Sequence, residues 1–177
     1  YAMFTVDATV GQALTLTLGN TATSADTDAT IAGFTPLQYS VDGGATWTTY
    51  TWNGTTGNQP TVPAGGKVFV RVNVTSEADT TYEGAETFTL TAAIATGAGK
   101  SSSGTVTIVD DGTGTKYDGT ITSGTINGST TSLDNDLSVA VTASGPVNEG
   151  STYAMFTVDA TVGQALTLTL GNTATSA

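Results

Sequence analysis

The feature that most constrains this chain is an internal repeat. Residues 1–25 recur unchanged at residues 153–177, which gives a period of 152 residues. An identity of this length does not arise by chance, so we interpret the chain as part of a tandem array. The period greatly exceeds the roughly 20–50 residues of a solenoid repeat, so each repeat should be a domain with its own core. We expect neighbouring identical repeats in the same polypeptide to be its partners.

The repeat need not start at a domain boundary. Residues 139–152 (VAVTASGPVNEGST) precede the second copy and have no equivalent before the first. We therefore expect residues 1–112 to form a β-sandwich without its own first strand, and residues 137–177 to carry the N-terminal strands of the next repeat. Residues 113–136 are a linker or an accessory hairpin. Two closures remain open: a circular permutant within one chain, or strand exchange between molecules.

Apolar residues alternate with polar ones along most of the chain, which indicates half-buried strands. The alternation is clearest at residues 14–18 (LTLTL) and 68–74 (VFVRVNV), and Gly-rich turns such as residues 42–44 separate such runs. Frequent Thr and Val and scarce helix-forming residues also favour strands. The sequence predicts an all-β, antiparallel Ig-like sandwich of about seven strands, with almost no helix.

Composition excludes most enzyme classes and several kinds of partner. The chain has no Cys, no His and a formal net charge of −11, with four Lys and Arg against fifteen Asp and Glu. It therefore lacks the Ser-His and Cys-His pairs of nucleophilic catalysis, and we predict that it is not an enzyme. Its negative charge repels nucleic-acid phosphates and anionic lipids. No stretch approaches the roughly 20 apolar residues that span a bilayer, so we expect neither nucleic acid nor membrane as a partner.

Carboxylates cluster at the predicted turns, where like charges repel and basic residues are too few to neutralise them. A hard cation with oxygen ligands fits this pattern, and Ca²⁺ takes 6–8 such oxygens. The alternative is that these residues form Asx-turns and keep the surface soluble. A further ion at the joint between repeats would also involve Asp118. The candidate ligands are Asp26, Asp28, Asp79, Glu83, Glu86, Asp110, Asp111, Asp134, Asp136 and Glu149.

Four motifs occur in the order typical of Calx-beta-like domains: VNEGSTYAMFTVDA, TATSADTDA, DTTYEGAETFTLTAA and GTVTIVDDG. The resemblance implies calcium binding at one end of the sandwich. It assigns ligands to Glu149 in the Glu-Gly motif, to Asp26 or Asp28 in the TA-loop, to the acidic residues of DTTYEGAE, and to Asp110 with Asp111.

The identical, acidic, cysteine-free repeats also resemble the extender region of giant RTX-type biofilm adhesins, which bacteria export by type I secretion. This resemblance implies an extracellular location at the bacterial cell surface. It also implies a structural role, as a calcium-stabilised rod that spaces a distal adhesive tip from the cell.

Trp47, Tyr50 and Trp52 lie close together in sequence and suggest an alternative function. Aromatic rings on one face of a sandwich can stack on sugars, which would make the domain a carbohydrate- or surface-binding module. Such residues also commonly fill a sandwich core or a cross-strand ladder. The sequence leaves both interpretations open.

Overall fold

The computed structural model describes residues 1–20, 35–80, 82, 84–96 and 99–171. Over this part of the chain the protein is all-β, and a 3-10 turn at Thr75–Glu77 is the one helical element. The strands are β1 (Ala2–Asp7), β2 (Leu14–Asn20), β3 (Leu37–Ser40), β4 (Thr48–Thr49), β5 (Lys67–Val72), β6 (Glu86–Ile94), β7 (Ser101–Ile108), β8 (Lys116–Thr122), β9 (Thr125–Ser129), β10 (Val139–Ala143) and β11 (Phe156–Ala160).

The first seven strands form the sandwich. One sheet has the order β1-β5-β3-β4 and the other the order β2-β6-β7. All neighbouring strands are antiparallel, with Phe4 opposite Val70 in the first sheet and Phe88 opposite Val106 in the second. The predicted all-β antiparallel sandwich of about seven strands is therefore confirmed.

The core lies between the two sheets and follows the period-two pattern. In β6 the residues at positions 86, 88, 90 and 92 are buried, while those between them are half-buried. The rings of Phe4 and Phe88 meet across the core edge-to-face, with centroids 6.0 Å apart. Strand β5 is the most enclosed, since Val68, Val70 and Val72 have no exposed surface.

Residues 113–136 contain an accessory hairpin, β8–β9, rather than a bare linker. The hairpin lies against the β1-β5-β3-β4 sheet. The Tyr1 amine donates a hydrogen bond to the Tyr117 carbonyl (2.9 Å), and Arg71 Nη1 donates to the Gly119 carbonyl (3.4 Å). Gly119 has a φ of +88°, and a Cβ there would lie 2.9 Å from the Tyr1 ring. A residue without a side chain is therefore needed where the hairpin meets the sheet.

The two copies of the repeated segment have different environments. Phe4 and Leu16 are 9% and 4% exposed in the core, whereas their equivalents Phe156 and Leu168 are 54% and 74% exposed. In its described part the second copy contributes one strand, β11, which pairs with β10 from the preceding residues, and a two-stranded sheet is at best marginally stable alone. The first copy thus builds the sandwich, and the second presents its apolar residues to solvent.

The duplicated segment allows a matched test of this assignment. We expect Leu16→Ala to lower the free energy of unfolding by about 2–5 kcal/mol, because it opens a cavity in the core. Leu168→Ala removes the same atoms from an exposed position and should change it by less than about 0.5 kcal/mol. Urea unfolding of both variants measures the difference. Equal losses would mean that the second copy also enters a core.

The contact between hairpin and sheet allows a second matched test. We expect Gly119→Ala to destabilise the protein more than Gly124→Ala, by roughly 1 kcal/mol or more, since overpacking typically costs about 1–3 kcal/mol. Both glycines have positive φ values (+88° and +80°), but a Cβ at Gly124 meets no atom within 4 Å. Thermal unfolding monitored by Trp fluorescence compares them, and equal melting temperatures would contradict a close packing of the hairpin on the sheet.

Candidate metal centre

Acidic residues meet at the end of the sandwich where β6 begins and β7 ends. Glu86 is opposite Ile108, so Asp110, two residues further on, lies at the same end. Further along the chain, residues 134–136 return and pair with residues 110–112. The Asp136 amide donates to the Asp110 carbonyl, and the Gly112 amide donates to the Asp134 carbonyl, both at 2.8 Å. Backbone pairing therefore draws Asp110, Asp134 and Asp136 together.

Electrostatics confirm that these carboxylates are neighbours. The pKa of Asp136 is raised above its usual value of 3.8, first by burial and then by the negative charges of Asp134, Asp110 and Asp79. One carboxylate oxygen of Asp136, Oδ2, is buried and has no hydrogen-bond partner among the described residues. Three other acidic residues, from three segments of the chain, thus act on the charge of Asp136.

Glu86 is the most enclosed of the predicted ligands that the structure describes. It is 5% exposed and shares the inner face of β6 with Phe88 and Leu90. Both of its carboxylate oxygens are buried and have no hydrogen-bond partner within the described part of the chain. An ionised carboxylate in that position carries a large desolvation cost unless a positive charge balances it. A bound cation beside Glu86 would provide that balance.

The described residues do not form a complete coordination shell. Among them, no three acidic side chains are close enough to one another to hold a metal ion. The predicted ligands Asp26, Asp28 and Glu83 lie outside the described residues. Glu86, Asp110 and Asp136 fit a cation in charge and in oxygen chemistry, but Ca²⁺ needs 6–8 oxygens. Backbone carbonyls and water would have to contribute as well.

Two candidate residues instead form local turns. Asp111 Oδ1 accepts hydrogen bonds from the amide (3.0 Å) and the hydroxyl of Thr113, and the hydroxyl bond is the main cause of its lowered pKa. Asp118 has the same arrangement with Thr120, at 2.8 Å and 2.6 Å, and its pKa is also lowered. The Asx-turn alternative therefore describes both residues.

Other acidic residues lie apart from this cluster. Glu149 is exposed in the loop between β10 and β11, just before the second copy of the repeated segment. Asp42, which was not predicted as a ligand, accepts hydrogen bonds from Thr46 and Ser40, and these lower its pKa to about 2. The Asp-Gly-Gly turn signal at residues 42–44 was sufficient to predict this role.

The three aromatic residues of the alternative site do not share one platform. Trp47 is on the outer side of the first sheet, where the Arg71 guanidinium lies 4.2 Å from its ring centroid and 4.5 Å from that of Tyr1. Tyr50 packs against the core, and its hydroxyl accepts a hydrogen bond from the Leu16 amide at 3.0 Å. Trp52 is half-buried. Sugar binding stays a prediction.

Comparison of the chain with protein-family models, curated proteins and solved structures gives no match. In the described part of the chain, no helix has the length and apolar character that crossing a membrane requires.

The raised pKa of Asp136 gives a pH-dependent prediction. The folded state holds this proton more tightly than the unfolded chain does, so stability falls as pH rises from about 3.8 through the raised pKa of the folded state. We expect Asp136→Asn to raise the melting temperature at pH 7 in chelator, and to have no such effect below pH 3.

Asp42→Asn is the control, and we expect it to change the melting temperature in the opposite direction. The pKa of Asp42 is lowered to about 2, so its contribution to stability is present above pH 3.8 and lost as pH falls towards 2. Asp42→Asn should therefore lower the melting temperature at pH 7. Thermal unfolding between pH 2 and pH 8 measures both variants, and a destabilising Asp136→Asn at pH 7 would contradict repulsion within the cluster.

Proposed function

We propose that this chain is a structural repeat from the extender region of a large bacterial surface adhesin, in which sandwich domains in tandem space a distal adhesive tip from the cell. The observation that carries the proposal is the repeat itself. A segment of 25 residues returns unchanged after 152 residues, a length that accommodates a whole sandwich. Identical domains joined end to end add length with each copy, and this spacing role does not require the domain to bind the target of the adhesive tip.

Calcium stabilises each domain in this proposal. Ca²⁺ binds oxygen ligands at the acidic end of the sandwich, where Glu86 is buried with no hydrogen-bond partner among the residues that the structure describes, and where Asp136 is repelled by its neighbours. Because the ion binds the folded state and not the unfolded chain, it adds to the free energy of unfolding by mass action.

The same charges make the domain responsive to its surroundings. At the low calcium concentration of a bacterial cytoplasm, repulsion among Asp79, Asp110, Asp134 and Asp136 loosens this end of the sandwich, which suits export through a narrow channel. At millimolar calcium outside the cell, occupancy of the site stiffens the domain, since extracellular modules bind Ca²⁺ with dissociation constants of about 10⁻⁴–10⁻³ M. Under this proposal the domain acts outside the cell, where calcium is abundant enough to fill the site.

Calcium titration of the full chain tests the proposal. At ten times the dissociation constant, binding should add about 1.4 kcal/mol. This corresponds to a rise of roughly 3–6 °C in melting temperature for a chain of this size. EDTA should reverse the rise and Mg²⁺ should not reproduce it, because Mg²⁺ requires a tighter octahedral site. An unchanged melting temperature at millimolar Ca²⁺ would reject a calcium-stabilised domain.

Two variants locate the ion. We expect Glu86→Gln to raise the melting temperature in EDTA, because it removes a buried charge that no described residue stabilises by a hydrogen bond, and to abolish the response to Ca²⁺. Asp7→Asn is the control, since its carboxylate is exposed and pairs with Lys67 at 2.5 Å, and it should keep the full response. A full calcium response in Glu86→Gln would place the ion elsewhere.

A further inference from the structure

In the described structure, strand β1 pairs with another strand along only one of its two edges. It pairs with β5, and beyond its end the Ala8 amide donates to the Gly66 carbonyl at 3.0 Å. In an antiparallel pair, successive residues turn their peptide groups to opposite sides. Residues 2, 4, 6 and 8 therefore face β5, whereas residues 3, 5, 7 and 9 face the other way. β1 is the edge strand of its sheet, and no strand of the described structure pairs with this outer side, although at its start the Tyr1 amine bonds to the Tyr117 carbonyl of β8.

The second copy of the same strand uses the opposite edge. In the β10–β11 pair, the Ser144 amide donates to the Met155 carbonyl at 3.1 Å, and the Thr161 amide donates to the Ser138 carbonyl at 3.4 Å. Residues 155, 157, 159 and 161 thus face β10. Subtracting the 152-residue period gives residues 3, 5, 7 and 9, the peptide groups that β1 turns away from β5. One strand can therefore pair with both partners at once.

The side chains agree with this combination. Val141 is opposite Val158, the equivalent of Val6, and so lies on the face of β11 that carries Phe156, the equivalent of the core residue Phe4. Val139 and Val141 are 62% and 63% exposed in this structure. Placed beside β1 in the same register, both would continue the apolar inner face of the first sheet.

There is also space at the end of the added strand. In this register Ser144 would lie opposite Met3, and Met3 lines a cleft of about 610 Å³ together with Ile108 and Leu133. The residues that follow Ser144 would therefore leave the sheet beside an open cleft and not against packed side chains.

We infer that the outer edge of β1 is the docking site for another copy of residues 137–144, supplied by the preceding repeat of the same polypeptide. The completed sheet then has the order β10-β1-β5-β3-β4, and Val141 is opposite Val6. In an array of period 152, this copy ends shortly before Tyr1, at the same short separation that joins β10 to β11. The inference rests on the tandem array of the proposed function but not on calcium. The added strand would also cover the free edge of β1, and an uncovered edge strand favours aggregation.

Disulfide trapping tests the register, using the full chain extended at its N-terminus by a copy of residues 137–152. Val6→Cys is combined with Val141→Cys in the added copy, and the protein is oxidised in EDTA. The pair belongs to the non-hydrogen-bonded set, whose Cα atoms lie about 4.5 Å apart, within the range of a disulfide. The chain has no native Cys, so every disulfide reports on this pair. We expect a monomer with an internal disulfide.

The matched control combines Val6→Cys with Thr142→Cys in the added copy, which places the second thiol on the opposite face, and should give no internal disulfide. An equal yield from both pairs would overturn the register. If disulfides form only between molecules, the strand does not come from the preceding repeat of the same chain. If no disulfide forms at all, the proposed docking is wrong.

A stability measurement provides independent support. The extended chain should melt several degrees above an otherwise identical chain with Val139→Asp and Val141→Asp in the added copy, because only the native extension buries two valines. Equal melting temperatures would overturn the inference. Since both experiments are done in EDTA, a failure here leaves the calcium titration intact. A failed calcium titration, in turn, does not affect the disulfide result.

Discussion

Burial of β5 is the constraint on which the rest of the structure depends. Its valines are fully excluded from solvent, and this requires a neighbouring strand on each side, β1 and β3, and a second sheet across the core. Strand β1 comes from the repeated segment. The sandwich of this chain therefore includes a copy of the repeated segment, paired with β5.

The same strand registers create the electrostatic problem at one end of the molecule. Pairing of β6 with β7 places Glu86 on the inner face, and pairing of residues 110–112 with 134–136 brings further carboxylates together at the end where β7 finishes. Arg71 and Lys67 do not neutralise this negative charge, because both interact with other residues. Arg71 lies over the rings of Tyr1 and Trp47, and Lys67 pairs with Asp7. The core and the acidic cluster thus arise from one arrangement of strands.

Long alternating runs were predictable from sequence, and short strands were not. Residues 14–18 and 68–72 lie in β2 and β5 as expected, because each run is long enough to define a face. Strands β3 and β4 have four and two residues, too few to define a face, and they depend on the pairing of β3 with β5 and of β4 with β3. The metal site stays a prediction. The sequence placed carboxylates at strand ends, as at Asp110, but it did not show that Asp111 and Asp118, each in an Asp-Gly-Thr sequence, accept hydrogen bonds within local turns.

The sequence by itself determined the class of fold, the buried face of the main strands, the excess of negative charge and the period of the repeat. It could not determine which of two identical segments enters the core, because local propensity and apolar pattern are the same in both. Leu16 is buried and Leu168 is exposed because only the first copy lies beside β5 and β6. Burial depends on the partners that a strand finds, and those partners exist only in the tertiary structure.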